Sequence, residues 1–387
     1  MNPISLRPIT LLQPSRIIFG AGCAPEAVAS FARDGHKRIF LITSPSVLTH
    51  AESFAAALRG GGIAVEIVTG VPPEPTTACC EQLRARARVF APDLVLGIGG
   101  GSVLDVAKLV AALHDRPEPV STFYGVNVLA GPGRHTALAC VPTTAGTGSE
   151  VSPNALLFDE TAVAKKAVIS PALVPDVAIV DPQLMLSLPP ALTATTGIDA
   201  LTHCLEAYTN RAAHPTVDLY ALEGVRLIGA NLARAVANGS DLEARTAVAL
   251  GSLYGGLCLG PVNTAAVHAL AYPLGGEFHM AHGLSIALLL PHVVRFNASA
   301  SPTRHAALAQ ALGISASTEA GAVAQLPDRL EQLLSSCRIP RGLSAHGIPR
   351  NALPRMAQSA LQVTRLLKNN PREVTHDDAI RIYESAY

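Results

Sequence analysis

The chain has 387 residues, of which 49% are hydrophobic and 15% charged, and its 29 basic and 29 acidic side chains give a formal net charge of zero. That balance supports a large buried core and excludes a disordered chain. With no basic surplus, neither nucleic acid nor an anionic membrane surface is expected as a partner.

The length suits two domains of roughly 100–200 residues each. An uncharged chain rich in Ala and Leu is expected to bury surface in a homo-oligomer, a dimer or larger. The opening "MNPISLRPITLLQPSRIIFG" is interrupted by Pro3, Pro8 and Pro14 and carries Arg7. It reads as neither a signal peptide nor a spanning helix, so a cytoplasmic protein is expected. The seven cysteines form no Cys-x-x-Cys pair, which suits reduced thiols rather than a disulfide framework or a zinc ribbon.

In chain order, "SRIIFG" reads as a first strand and "RIFLIT" (38–43) as a second, followed by helical "AESFAAALRG". "GIAVEIV" (62–68) reads as a third strand, followed by helical "CCEQLRARARVF". "DLVLGI" (93–98) is a fourth, a continuous apolar run that ends in glycines. Helical "SVLDVAKLVAAL" and the strand "TALACVP" (136–142) come next. Buried apolar strands alternating with helices predict a parallel, Rossmann-like α/β sheet, in which ligands sit at the carboxyl ends of the strands. After "LSLPP" (186–190) the strand signals fade and Ala/Leu helical segments dominate. The expected organisation is therefore an α/β domain over 1–187 and an all-helical domain over 188–387.

Three stretches carry chemistry. "GIGGGSVLDVAK" (97–108) runs strand, glycines, helix. Gly99, Gly100 and Gly101 let the backbone approach a phosphate, and the helix start offers free N–H groups and a positive dipole end. No G-K-[ST] follows, so a Walker-type site is excluded. "PTTAGTGSEVSPN" (142–154) follows an apolar strand, and its Thr143, Thr144 and Thr147 offer hydroxyls to phosphate or ribose. Taken alone, such a loop is an ordinary turn.

The third stretch is a candidate metal set. In "GIDALTHCLEAY" (197–208), Asp199 and His203 are four apart and share a helix face. "HALAYPLGGEFHMAHG" (268–283) adds His268 and His282. One Asp and three His make a four-ligand site with a single formal negative charge. A divalent ion there keeps a net positive charge and room for a substrate oxygen. His279 competes with His282. However, His282 directly precedes Gly283 and an apolar helical run, so His279 is expected to line the site or face solvent. His292 reads as a satisfied packing histidine.

These motifs, in this order over nearly the whole length, resemble the iron-dependent (group III) alcohol dehydrogenases. The resemblance implies a dehydroquinate synthase-like architecture. An amino-terminal nucleotide-binding α/β domain is joined to an all-α metal-binding domain, with the active site in the cleft between them. It implies Asp199, His203, His268 and His282 as metal ligands and Gly99, Gly100, Gly101 and Ser102 as the pyrophosphate loop. Thr143, Thr144 and Thr147 then flank the nicotinamide, Lys165 lies near the ribose, and Asn154 lines the substrate pocket.

Two positions depart from the family. Tyr272 stands where several relatives place a histidine near the nicotinamide, and is expected to act on the substrate there. Ser44 stands where many NAD-specific relatives carry the Asp that repels a 2′-phosphate, so NAD and NADP are both expected to be usable. The activity implied is a metal-dependent (Fe²⁺ or Zn²⁺), NAD(P)-linked alcohol dehydrogenase or aldehyde reductase acting on a small alcohol or hydroxyacid. The alternatives are a hydroxyacid–oxoacid transhydrogenase, a maleylacetate-type reductase, a dehydroquinate synthase-like lyase, or a binding protein without catalysis.

Overall fold

The structure is a computed structural model that describes residues 7–129, 133–162 and 164–387. It divides into two compact units. One spans Leu12–Leu188; the other takes Pro189–Tyr387 together with the described residues up to Leu11. Sequence texture alone places that leading segment with the α/β domain. It joins the helices because Ile9 packs against buried Ala207, Val217, Ala221, Cys258 and Val262, and Arg7 donates to the carbonyl of Ala212.

In the α/β unit the strands are β1 (Arg16–Phe19), β2 (Arg38–Thr43), β3 (Ala64–Val68), β4 (Leu94–Gly99), β5 (Gly125–Val126), β6 (Ala137–Pro142), β7 (Asn154–Asp159), β8 (Ala164–Ile169) and β9 (Val177–Val180). The main sheet has the order β1-β9-β6-β4-β2-β3, and every pairing in it is parallel. Four helices connect its strands: α1 (Ala24–Arg33), α2 (Leu48–Gly60), α3 (Thr77–Phe90) and α4 (Gly101–Leu113).

Strand alternation explains why both faces are covered. Phe40, Ile42, Val95, Leu138 and Cys140 point into one core with Cys80 and Leu83 of α3 and Val103 and Leu104 of α4. Their sequence neighbours Ile39, Leu41, Leu94, Leu96, Ala139 and Val141 point into the other, with Val28 and Phe31 of α1 and Ala51 and Phe54 of α2. A strand buried on both faces reads as a continuous apolar run, as "RIFLIT" and "DLVLGI" do.

A second, three-stranded sheet has the order β5-β8-β7, with β7 and β8 antiparallel. Periodicity does not announce this hairpin, because "AKKAVI" brings two lysines into β8 and its residues are mostly half-buried.

The second unit is helical: α5 (Pro190–Thr209), α6 (Pro215–Ala237), α7 (Leu242–Leu259), α8 (Ala266–Phe278), α9 (His282–Asn297), α10 (Pro302–Ala311), α11 (Glu319–Ser336), α12 (Leu353–Ala360), α13 (Thr364–Leu367) and α14 (His376–Ser385). Glycines let α5, α6 and α7 approach closely. A Cβ on Gly224 would stand 2.4 Å from Cys204 Sγ, and one on Gly251 2.5 Å from Ile228 Cγ1. All seven cysteines are free thiols. Among the described residues, no helix is long and apolar enough to cross a membrane.

Candidate metal centre and nucleotide site

The candidate metal residues come together in the helical unit. Asp199 and His203 lie one turn apart on α5. His268 lies in the first turn of α8, and His282 is the first residue of α9. Three imidazole Nε2 atoms surround one oxygen, Asp199 Oδ1: His268 at 3.3 Å, His203 at 3.6 Å and His282 at 3.7 Å. Four ligands about 2.1 Å from one ion stand about 3.4 Å from each other along the edges of a tetrahedron. The three distances from Asp199 Oδ1 match that figure. Ligand atoms of Asp199, His268 and His282 all lie within 4.8 Å of one another, and the His203 ring stacks on His268 at 4.8 Å and 17°.

Two of these atoms, Asp199 Oδ1 and His268 Nε2, are buried with no hydrogen-bond partner. Buried polar atoms in native structures are otherwise paired, so the donor set fits a cation. The electrostatics agree. Burial opposes ionisation of Asp199, but the facing His203, His282 and His268 outweigh it and hold its carboxyl well below the usual range. Burial likewise disfavours a charged His268, yet Glu206 and Asp199 push its pKa up to about 9. A field that retains a positive charge in this position also suits a metal ion.

Glu206 is the residue that sequence reading missed. Its Oε2 accepts from His268 Nδ1 at 2.6 Å and from the Ala265 N–H at 2.9 Å, while Oε1 accepts from the Val267 N–H at 2.6 Å. It therefore fixes the His268 tautomer and caps the start of α8. A signal was present, since Glu206 is seven residues after Asp199 and shares its helix face. His282 is brought in by Gly283, where a Cβ would stand 2.5 Å from the Thr195 carbonyl oxygen. His279 is exposed, in the left-handed conformation (φ 53°) that ends α8. His292 departs from expectation. Its Nδ1 is buried without a hydrogen-bond partner among the described residues, beside a cavity of about 370 Å³.

In the α/β unit, β2, β4 and β6 are adjacent and parallel. Their carboxyl ends carry Ser44, the Gly99–Ser102 turn and the Thr143–Thr147 loop. The turn and the loop interlock: the Thr143 N–H donates to Gly99 O at 2.9 Å, and a Cβ on Gly101 would stand 2.5 Å from Thr147 Cγ2. Thr144 lies beside Gly100. The start of α4 has no side-chain cap, which leaves its N–H groups and dipole end for an anion.

The remaining residues that the resemblance implicates at the cofactor and substrate lie as follows. Ser102 donates its hydroxyl to the Pro73 carbonyl, and Ser44 Oγ lies 3.0 Å from Ser46 Oγ. Lys165 Nζ pairs with Glu74 at 2.8 Å. Asn154 Oδ1 is buried and unpartnered, while its carbonyl accepts from Lys108 Nζ at 2.8 Å. Tyr272, one turn after His268, accepts from Arg365 Nη2 at 2.9 Å.

Comparison with known proteins agrees with this arrangement. Residues 14–182 match the family described as iron-containing alcohol dehydrogenase, and residues 193–387 match the C-terminal part of the Fe-containing alcohol dehydrogenase family. The chain is 42% identical to long-chain-alcohol dehydrogenase 1 of Geobacillus thermodenitrificans, over 96% of this chain and 97% of that one. Its fold is similar to the crystal structure of a 1,3-propanediol oxidoreductase (TM-score 0.93, 33% identity, 98% of this chain and 100% of that one). It is also similar to the sulfoacetaldehyde reductase of Bifidobacterium kashiwanohense in complex with NAD+ (TM-score 0.88, 26% identity, 98% and 99%).

Proposed function

The chain belongs to the iron-containing alcohol dehydrogenase family, whose members use NAD(P) and a divalent metal, and on that premise we propose that it interconverts a small alcohol and its aldehyde by hydride exchange with NAD or NADP. The single observation that carries this reading is the ring of three imidazole nitrogens 3.3–3.7 Å from Asp199 Oδ1. A divalent ion held there supplies Lewis-acid polarisation of the substrate oxygen, and a bound nicotinamide supplies the hydride acceptor or donor.

The chain's own residues do the rest. Asp199, His203, His268 and His282 hold the cation, and Glu206 keeps the His268 Nδ1 proton in place so that Nε2 stays a lone-pair donor. The uncapped start of α4, with Gly99, Gly100 and Gly101, holds the pyrophosphate. The Thr143–Thr147 loop is braced against that turn and orients the ring end of the cofactor. Lys165 and Ser44 are assigned to the ribose side, and Asn154 offers its buried Oδ1 as an acceptor. A nicotinamide bound at the Gly99–Gly101 turn would take up the hydride of an alcohol's carbinol carbon while the hydroxyl proton left to solvent, and its reduced form would serve the reverse reaction.

The test is a panel of short alcohols and aldehydes with NAD(H) and NADP(H), on chelated protein and on protein reloaded with Zn²⁺ or Fe²⁺. Net, metal-dependent turnover is expected with at least one pair. Cofactor that stays bound and recycles between a hydroxyacid and an oxoacid without net turnover would replace this reading with transhydrogenation.

A further inference from the structure

Arg365 is held by a phenol rather than by a carboxylate. It lies on the short helix α13, which packs against α8. Asn369, four residues on, is tied to the main chain just before α8 and just after α5: its Nδ2 donates to Thr264 O at 2.8 Å, and its O accepts from the Arg211 N–H at 2.8 Å. Arg365 is half-buried, and among the described residues its one hydrogen bond is the donation to the Tyr272 hydroxyl. Among the described residues it forms no ion pair.

Three other shielded arginines each meet a carboxylate and at least one carbonyl. Arg84 is met by Glu81 and the carbonyls of Leu113, Arg116 and Glu118. Arg134 is met by Asp176 and three carbonyls, and Arg304 by Asp218 and Tyr208 O. A guanidinium has five N–H donors in a planar fork, so four of those of Arg365 meet no acceptor among the described residues.

The position of that fork matters. Tyr272 and His268 are four apart on α8, so they project from one face with Cβ atoms about 5–6 Å apart. The phenol hydroxyl therefore holds the guanidinium on the flank of a metal-ligand helix turn. A fork in this place suits an oxyanion that accepts two parallel hydrogen bonds.

We propose that Arg365, steadied by Tyr272, is a specificity-determining residue that selects alcohols and aldehydes bearing a carboxylate or a similar oxyanion a few carbons from the reacting oxygen. This rests on the reading that the substrate oxygen is held at the Asp199–histidine cluster. Tyr272 then acts through Arg365 as a positioning residue.

The test compares succinic semialdehyde with neutral butanal on zinc-reloaded full-length protein, using NADH and NADPH in turn. Wild type should prefer succinic semialdehyde. Arg365→Met should raise its KM about 10- to 100-fold, the span of a charge-assisted hydrogen-bond pair, with a much smaller change in kcat. The ratio of kcat/KM between the two aldehydes should fall by the same factor. Arg365→Lys should recover part of the loss, and Tyr272→Phe should shift the ratio in the same direction by less.

Equal changes for both aldehydes would overturn the proposal. So would a rise in KM for NADH or NADPH in place of the aldehyde, which would assign Arg365 to a cofactor phosphate. If wild type turns over neither these two aldehydes nor any other pair of the panel, it is the functional reading above that fails. Calorimetric titration of the zinc-loaded protein with succinate then decides the arginine separately: binding that Arg365→Met abolishes supports it, and binding that is absent or unaffected overturns it.

Discussion

Glu206 Oε2 lies 2.6 Å from Nδ1 of His268, a residue 62 positions further along the chain. The same carboxylate also takes the first main-chain N–H groups of the helix that carries His268. One side chain on α5 thus fixes both the start of α8 and the orientation of the His268 ring. That leaves Nε2 facing Asp199 with no partner of its own.

Glu206→Gln replaces one acceptor oxygen with a donor that cannot meet an N–H. Divalent-metal affinity should fall about 10- to 100-fold, the usual effect of losing the carboxylate behind a ligand histidine. Competition with a chromophoric chelator measures it. Affinity equal to wild type would mean that something other than Glu206 orients His268.

Gly283 allows α9 to begin against the backbone of α5. Its missing Cβ would stand 2.5 Å from Thr195 O and 2.8 Å from Thr195 C, and main-chain atoms cannot swing aside. Gly283→Ala should therefore push His282 away from Asp199 and cost about 1–3 kcal/mol of stability. Metal content and Tm should drop together in this variant. A full complement of metal at unchanged Tm would show that the contact relaxes at no cost.

Ser44 sits at the carboxyl end of β2, beside the strand whose carboxyl end makes the glycine turn. A carboxylate here would repel a 2′-phosphate and leave the free ribose hydroxyls of NADH acceptable. Ser44→Asp should raise KM for NADPH far more than for NADH. Parallel losses for both cofactors would remove this position from ribose recognition.

Glu150 is 3% exposed, and burial lifts its carboxyl from 4.5 to about 7 against the smaller opposing effects of its own backbone and Lys108. The folded pKa exceeds the unfolded one, so the folded chain binds the extra proton. Stability then falls as pH rises from about 4.5 to 7, by at most about 3 kcal/mol from this group. Glu150→Gln should flatten the dependence of Tm on pH across that window and raise Tm at pH 8. A variant with the wild-type slope would show that Glu150 is ionised in the fold.

Much of this protein is legible along the chain, because the periods of helix and strand are local. The buried parallel strands show as uninterrupted apolar runs in "RIFLIT" and "DLVLGI". The turn proposed for the nucleotide shows as glycines between strand and helix. Asp199 and His203 share a helix face at any sequence-level reading. The hairpin β7–β8 does not show, because a half-buried strand with two lysines has no clear period.

What the tertiary structure alone decides is which distant groups meet. That Glu206 caps α8 and orients His268, and that Tyr272 holds Arg365 from 93 residues away, depend on how α5, α8 and α13 pack. Helix packing is set by shape along whole surfaces, such as the approach that Gly283 permits. No spacing in the sequence encodes a contact of that kind, since its two halves obey separate local periods and are matched only when their elements are buried against one another.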